Sequence, residues 1–161
     1  MALGAVGLWV SRDWRASMQR LGLGPVGIRH LLVGALGLAV VMGGNAGMEW
    51  VEQHSFHALW LRDQEMTKWI AGNLSTTAAV LLGISAGIGE ELLVRGALQP
   101  RFGIFWSTLL FASGHVQYSW FGMLTIAFLG LALGLVRRHA NTTTCVIVHV
   151  VYDILAALGA H

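Results

Sequence analysis

Charge is the scarcest commodity in this chain. Only 11% of its 161 residues are charged, where soluble domains run at about 25%. From Trp69 to Ile88 there is no charged residue at all. Cysteine occurs once, at Cys145, which excludes an internal disulfide and any paired-cysteine zinc site. Its apolar neighbours mark it as a small buried residue rather than a reactive thiol. Proline occurs twice, at Pro25 and Pro100, so the long apolar runs are almost free of helix breakers. No internal repeat and no low-complexity segment is visible. Met1 to Val10 is apolar but lacks a basic leader and a cleavage site, which argues against a removable signal peptide. The net charge of +2 rests on few residues, so nucleic acid is not an expected partner.

What remains is hydrocarbon. The chain is 55% hydrophobic with a mean hydropathy of +0.64. Several runs approach the length of about 20 residues that crosses a bilayer. They are continuous and rich in Leu, Ala and Gly rather than alternating, so helices are predicted, not strands. The expected fold is all-α, a single integral membrane domain over 1–161. It has about five spans: 28–48, 69–89, 103–116, 120–136 and 142–160. The first is expected to end near Gly43-Gly44-Asn45, and the second to continue as a short helix over 92–102, broken at Pro100. Ser11 to Leu23, with Arg12, Arg15 and Arg20 among Trp14, Met18 and Leu21, suggests an amphipathic segment at the membrane surface.

Charge placement orients the bundle. If five spans alternate, Arg12, Arg15, Arg20, Arg29, Arg95, Arg101, Arg137 and Arg138 share one side. Arg62 and Lys68 fall on the other, in the polar stretch 49–68 with its interfacial aromatics Trp50, Phe56 and Trp60. The positive-inside rule then predicts a cytoplasmic Arg95 end and an external C-terminus, as for a protein of the bacterial inner membrane. Small residues four apart, Gly83/Gly87 and Gly130/Gly134, allow close helix approach within the bundle or, alternatively, in a homo-oligomer.

Against this background a few polar residues stand out. Glu90 and Glu91 arrive together at the end of the charge-free run, with Arg95 four residues beyond Glu91, in reach of an ion pair. His115 lies in Phe111-Ala112-Ser113-Gly114-His115. His149 and Asp153 are four apart and share one helix face. At about 1.5 Å per residue, Glu90 lies about 8 Å from Arg95, His149 about 12 Å from Asn141 and His115 at most about 20 Å from Arg101. The four therefore fit one depth. Ionisable groups in lipid are costly and find one another, which makes a shared functional site the default expectation. His54, His57 and His161 fall in extramembrane segments, and His30 and His139 flank basic helix ends, so none of these five is a candidate.

The ordered set Glu-Glu-x-x-x-Arg, Phe-x-x-x-His and His-x-x-x-Asn/Asp resembles the CPBP family, which includes type II CAAX prenyl endopeptidases and Abi-related intramembrane proteases. Here it reads Glu90-Glu91-x-x-x-Arg95, Phe111-x-x-x-His115 and His149-x-x-x-Asp153, within a catalytic core spanning 69–160. The resemblance implies an endopeptidase acting on a membrane-anchored peptide or protein near its anchored, C-terminal end. Glu90 with His115 would activate water, His149 with Asp153 would stabilise the oxyanion, and Glu91 with Arg95 would hold the helix. Eukaryotic members have Asn at the place of Asp153. An ionised carboxylate cannot donate to an oxyanion, so Asp153 is expected to accept from His149 and orient its ring.

No cofactor is expected. A metal alternative would use Glu90, His115, His149 and Asp153 as ligands to Zn²⁺ or Fe²⁺, but the sequence lacks His-Glu-x-x-His. Two other classes compete: a non-catalytic immunity or scaffold protein, and a small proton-coupled transporter. A scaffold has no need for Glu90, His115 and His149 in lipid, and five spans show no inverted repeat.

Overall fold

The computed structural model describes residues 1–8 and 10–159. The predicted ends at Ala160 and His161 lie outside that range, as does Trp9. Among the described residues the regular structure is helical. Four stretches are long and apolar enough to cross a membrane: Ile28–Ser55, Thr76–Ser113, Trp120–His139 and Thr142–Gly159. Their outer faces carry exposed leucines, among them Leu32, Leu36, Leu81, Leu110 and Leu131. That is the inverse of a water-soluble bundle and the surface that lipid requires. The chain is a helical membrane protein.

Helix α1 (Ala2–Ala5) and helix α2 (Trp14–Arg20) precede the bundle. Helix α3 runs Ile28–Ser55 and α4 His57–Ala71. Helix α5 (Thr76–Glu91) continues into a π-helical segment, Leu92–Leu98, and then into α6 (Gln99–Ser113). Helix α7 is Trp120–His139 and α8 is Thr142–Gly159. Short polar side chains start several of them. Asp13 accepts from the Ala16 N–H, Ser75 from Ala78, Ser119 from Gly122 and Asn141 from Thr144.

Glycines set the packing. Gly83 of α5 lies against Ile154 of α8, and Gly87 against Val150, where an added Cβ would fall 2.9 Å from a backbone nitrogen. These two helices therefore run antiparallel in close contact. Gly37 and Gly44 of α3 meet Val136 and Phe128 of α7, and Gly34 meets Thr144 of α8. Gly130 and Gly134 of α7 meet Phe111 and Ile104 of α6. Both small-residue pairs are thus used inside the bundle. Val41, Leu129, Ala132, Leu133 and Val148 form the apolar core between α3, α7 and α8.

Four boundaries differ from the sequence reading. Helix α3 passes straight through Gly43-Gly44 to Ser55, because Gly44 is spent on contact with Phe128 rather than on a turn. Helix α5 starts at Thr76, not near residue 69, since Gly72–Ser75 form a turn ending in the Ser75 cap. The helix is not broken at Pro100, which sits in the first turn of α6 where its missing N–H costs little. The break comes at Gly103, whose φ of +77° is one that a side chain would strain. The second and third predicted spans are therefore one bent stretch. Beyond Gly103, α6 has only Ile104–Ser113, about 15 Å of helix, half of the hydrocarbon thickness. Phe111 near its end lies against Gly130, midway along α7.

The N-terminal segment closes one end of the bundle. Leu21 and Val6 are buried with Ala97 of the π-helical segment. The Thr142 N–H donates to the Gly22 carbonyl, the Thr142 hydroxyl donates to the Leu21 carbonyl, and the Asn141 amide donates to the Pro25 carbonyl. Gly22 also abuts the Arg137 guanidinium. Arg12 and Arg101 donate to the Val6 and Ala5 carbonyls of the same segment, so these two arginines and Arg137 share this end.

Candidate functional site

The antiparallel α5–α8 seam brings Glu90 and Glu91 opposite His149. Close approach at Gly83 and Gly87 makes that distance short enough for direct contact. The Nδ1–H of His149 faces Oε1 of Glu91 at 2.9 Å. The ring's other nitrogen, Nε2, lies 3.4 Å from Oδ1 of Asp153 and 3.9 Å from Oε2 of Glu90. His149 is buried, while the Glu90 and Asp153 side chains keep 36% and 23% exposure. The ring is therefore fixed at one nitrogen in a dry setting and presents the other to a reachable space.

Glu91 has two partners rather than one. Beside His149, its Oε2 lies 3.5 Å from Nε of Arg95, and both side chains are fully buried. The π-helical segment carries Arg95 inward, where it donates to the Gly130 carbonyl at 2.9 Å and lies over the Phe111 ring at 5.1 Å. π-type turns inside helices recur at functional sites because they re-aim side chains. The predicted Glu91–Arg95 pair is present, and its contact with His149 is what the sequence did not announce. The predicted Asp153–His149 contact is present as well.

His115 does not lie on a helix. It stands in the turn after α6, with Nδ1 2.9 Å from the Phe111 carbonyl. A carbonyl can only accept, so Nδ1 carries the proton and a neutral ring leaves Nε2 as an acceptor. Phe111 is the common neighbour: its ring lies edge-on to both His115 and His149, at 5.0 and 6.2 Å.

A cavity of about 260 Å³ between α5, α8 and this turn is lined by Glu90, His115, His149 and Asp153 together. A larger one of about 490 Å³ shares His115, His149 and Asp153 and extends to Glu49, Glu52 and Asp63. All four candidate residues thus border one space. Glu52 and Asp63 are both buried, although they belong to the polar stretch 49–68. Their partner, Ser119, lies 56 residues beyond Asp63, out of reach of any local pattern. The four side chains do not converge as a ligand set. Among the described residues no three of His, Cys, Asp or Glu are placed to hold a metal ion.

Comparisons with known proteins bear on this geometry. An uncharacterized protein of Bacillus subtilis (strain 168), YpbD, is 26% identical over 103 residues, which is 63% of this chain and 52% of that protein. The chain thus spans about half the length of the curated relative it matches. No solved structure matches. Residues 72–155, just over half of the chain and including every motif residue named above, match the family described as type II CAAX prenyl endopeptidase Rce1-like. With the ordered motifs meeting at one cavity and this match over the same residues, the chain belongs to the Rce1-like family of type II CAAX prenyl endopeptidases.

Proposed function

We propose that the protein is an intramembrane endopeptidase that hydrolyses a peptide bond near the anchored, C-terminal end of a membrane-bound substrate. The observation that carries this reading is the single cavity bordered by Glu90, His115, His149 and Asp153. Glu90, part-exposed and with His149 Nε2 no nearer than 3.9 Å, takes the proton from water. His115, with Nδ1 tied to the Phe111 carbonyl, accepts from the same water through Nε2 and directs its lone pair at the carbonyl carbon. His149 supplies the oxyanion donor. That role needs both ring nitrogens protonated, one donating to Glu91 and the other facing the cavity beside Glu90 and Asp153. Asp153 holds the ring by accepting from Nε2 until the oxyanion replaces it. The oxyanion then collapses, the C–N bond breaks, and Glu90 returns the water's proton to the leaving amine. Water is activated by side chains alone. The arginine-rich end faces the cytoplasm of a bacterial inner membrane and the C-terminus faces outward.

The test is cleavage of anchored peptides by the full chain in liposomes. Glu90→Gln and His115→Ala are expected to lower kcat by about 10²–10⁴-fold with unfolding unchanged. Normal turnover by Glu90→Gln refutes the general-base role, and a cellular phenotype untouched by both substitutions supports a scaffold instead.

A further inference from the structure

Helix α4 precedes the family-matched stretch, yet it walls both cavities, with Asp63 and Thr67 in the larger and Thr67, Ile70 and Ala71 in the smaller. Its buried polar contact is with the end of the turn that carries His115. The Ser119 N–H donates to Oδ1 of Asp63 and the Ser119 hydroxyl donates to Oδ2, each at 2.7 Å. Glu52 of α3 offers the hydroxyl a second carboxylate at 3.2 Å. Ser119 is 1% exposed and Asp63 8%. Since Ser119 also caps α7, the Asp63 carboxylate sits at that helix's positive end. Gly122 makes room for it, because a Cβ there would strike the Asp63 carboxylate. Charge-assisted bonds of this length in a dry site form a strong anchor.

The turn Gly114–Ser119 is thus held at two places. Near its start His115 is tied to the Phe111 carbonyl, and the Tyr118 N–H donates back to the His115 carbonyl at 3.1 Å. At its end Asp63 holds Ser119. We infer that Asp63 is a positioning residue: by latching α4 onto Ser119 it fixes the turn, and with it the reach of His115 towards water at Glu90. The catalytic consequence rests on the protease reading, whereas the latch rests on the contacts alone.

The experiment uses the full chain in liposomes, with Asp63→Ala, Asp63→Asn, Ser119→Ala and the exposed α4 control Glu65→Gln. Two readouts are taken: amide hydrogen exchange of Gly114–Ser119, and kcat and KM on an anchored peptide. Asp63→Ala is expected to speed exchange in the turn about tenfold. It should lower kcat about 10–100-fold with KM within about twofold, as for a displaced catalytic group. Asp63→Asn keeps an oxygen for the Ser119 N–H and falls between, as does Ser119→Ala, which spares that N–H bond and guards against an unfolded alanine variant. Glu65→Gln matches wild type. Unchanged exchange in Asp63→Ala overturns the latch. A loosened turn with wild-type kcat, or a rise in KM alone, overturns the positioning role. If wild type shows no Glu90-dependent cleavage, the protease reading falls, and exchange still decides the latch.

Discussion

Replacing Glu91 by Leu tests the densest contact in the bundle. Glu91 is wholly buried between Arg95, itself 1% exposed, and the buried His149 ring. Removing the carboxylate strands a guanidinium in an apolar interior, a change that costs about 3–5 kcal/mol in buried pairs. Arg95 keeps its bond to the Gly130 carbonyl and its place over Phe111. The 3.5 Å pair with Glu91 is also an ion pair without a hydrogen bond. The low end of the range, about 3 kcal/mol or roughly a hundredfold in the unfolding constant, is therefore expected. Arg95→Met in the same chain removes the stranded charge, so the double variant should recover about 2 kcal/mol or more, read as a coupling energy in a double-mutant cycle. Activity should not recover, because the His149 Nδ1–H still lacks its acceptor. The assays are equilibrium unfolding in mixed micelles and cleavage of an anchored peptide. A Glu91→Leu single variant as stable as wild type, or a double variant no better than the single, refutes the buried-pair reasoning. A double variant with wild-type kcat refutes the orienting role of Glu91.

Three other outcomes are expected. Asp153→Asn should lower kcat by about tenfold and alter the pH–rate profile, since the ring at 3.4 Å loses an ionic acceptor; full activity with an unchanged profile removes the need for a carboxylate. Gly87→Leu should destabilise the bundle by about 2–3 kcal/mol and abolish cleavage, because a Cβ there falls 2.9 Å from the Val150 nitrogen. Gly89→Ala, with open space around its Cβ, should be neutral in unfolding assays, and equal effects at the two positions would discard the seam argument. Thorough chelation should leave turnover unchanged, and loss of activity restored by one added metal would replace the side-chain mechanism with a metal one.

The sequence announced most of the bundle because lipid punishes ambiguity. Apolar runs of sufficient length had to be helices, and the sparse polar residues inside them had to meet. Helix rise predicts one depth for Glu90, His115 and His149, and the three border one cavity. Local breaker rules did less well. Gly43-Gly44 read as a turn and Pro100 as a break, whereas Gly44 serves packing against Phe128 and the break fell at Gly103. The two errors have separate causes: Gly44 is spent on a neighbour across the seam, whereas Gly103 supplies a positive φ with open space around it. The second partner of Glu91 was hidden because His149 is 58 residues away. Glu52 and Asp63 belong in the sequence to the polar stretch 49–68, and their burial is not legible there because the serine that they face lies on a distant turn.

These two hidden contacts share a physical logic. Glycine seams bring backbones close, but a small-residue stripe tolerates sliding by a turn, as van der Waals contact alone discriminates weakly between registers. Polar pairs do not tolerate it. A slip of α5 along α8 by one turn, about 5.4 Å, would part Glu91 from His149 and strip the Nδ1–H of its buried acceptor. A shift of α4 would likewise part Asp63 from Ser119. Glu91 therefore fixes the register of the helix that bears Glu90, and Asp63 that of the turn that bears His115. Apolar replacement of either anchor together with its partner should spare the helices and lose the alignment, which separates what holds this bundle together from what makes it a site.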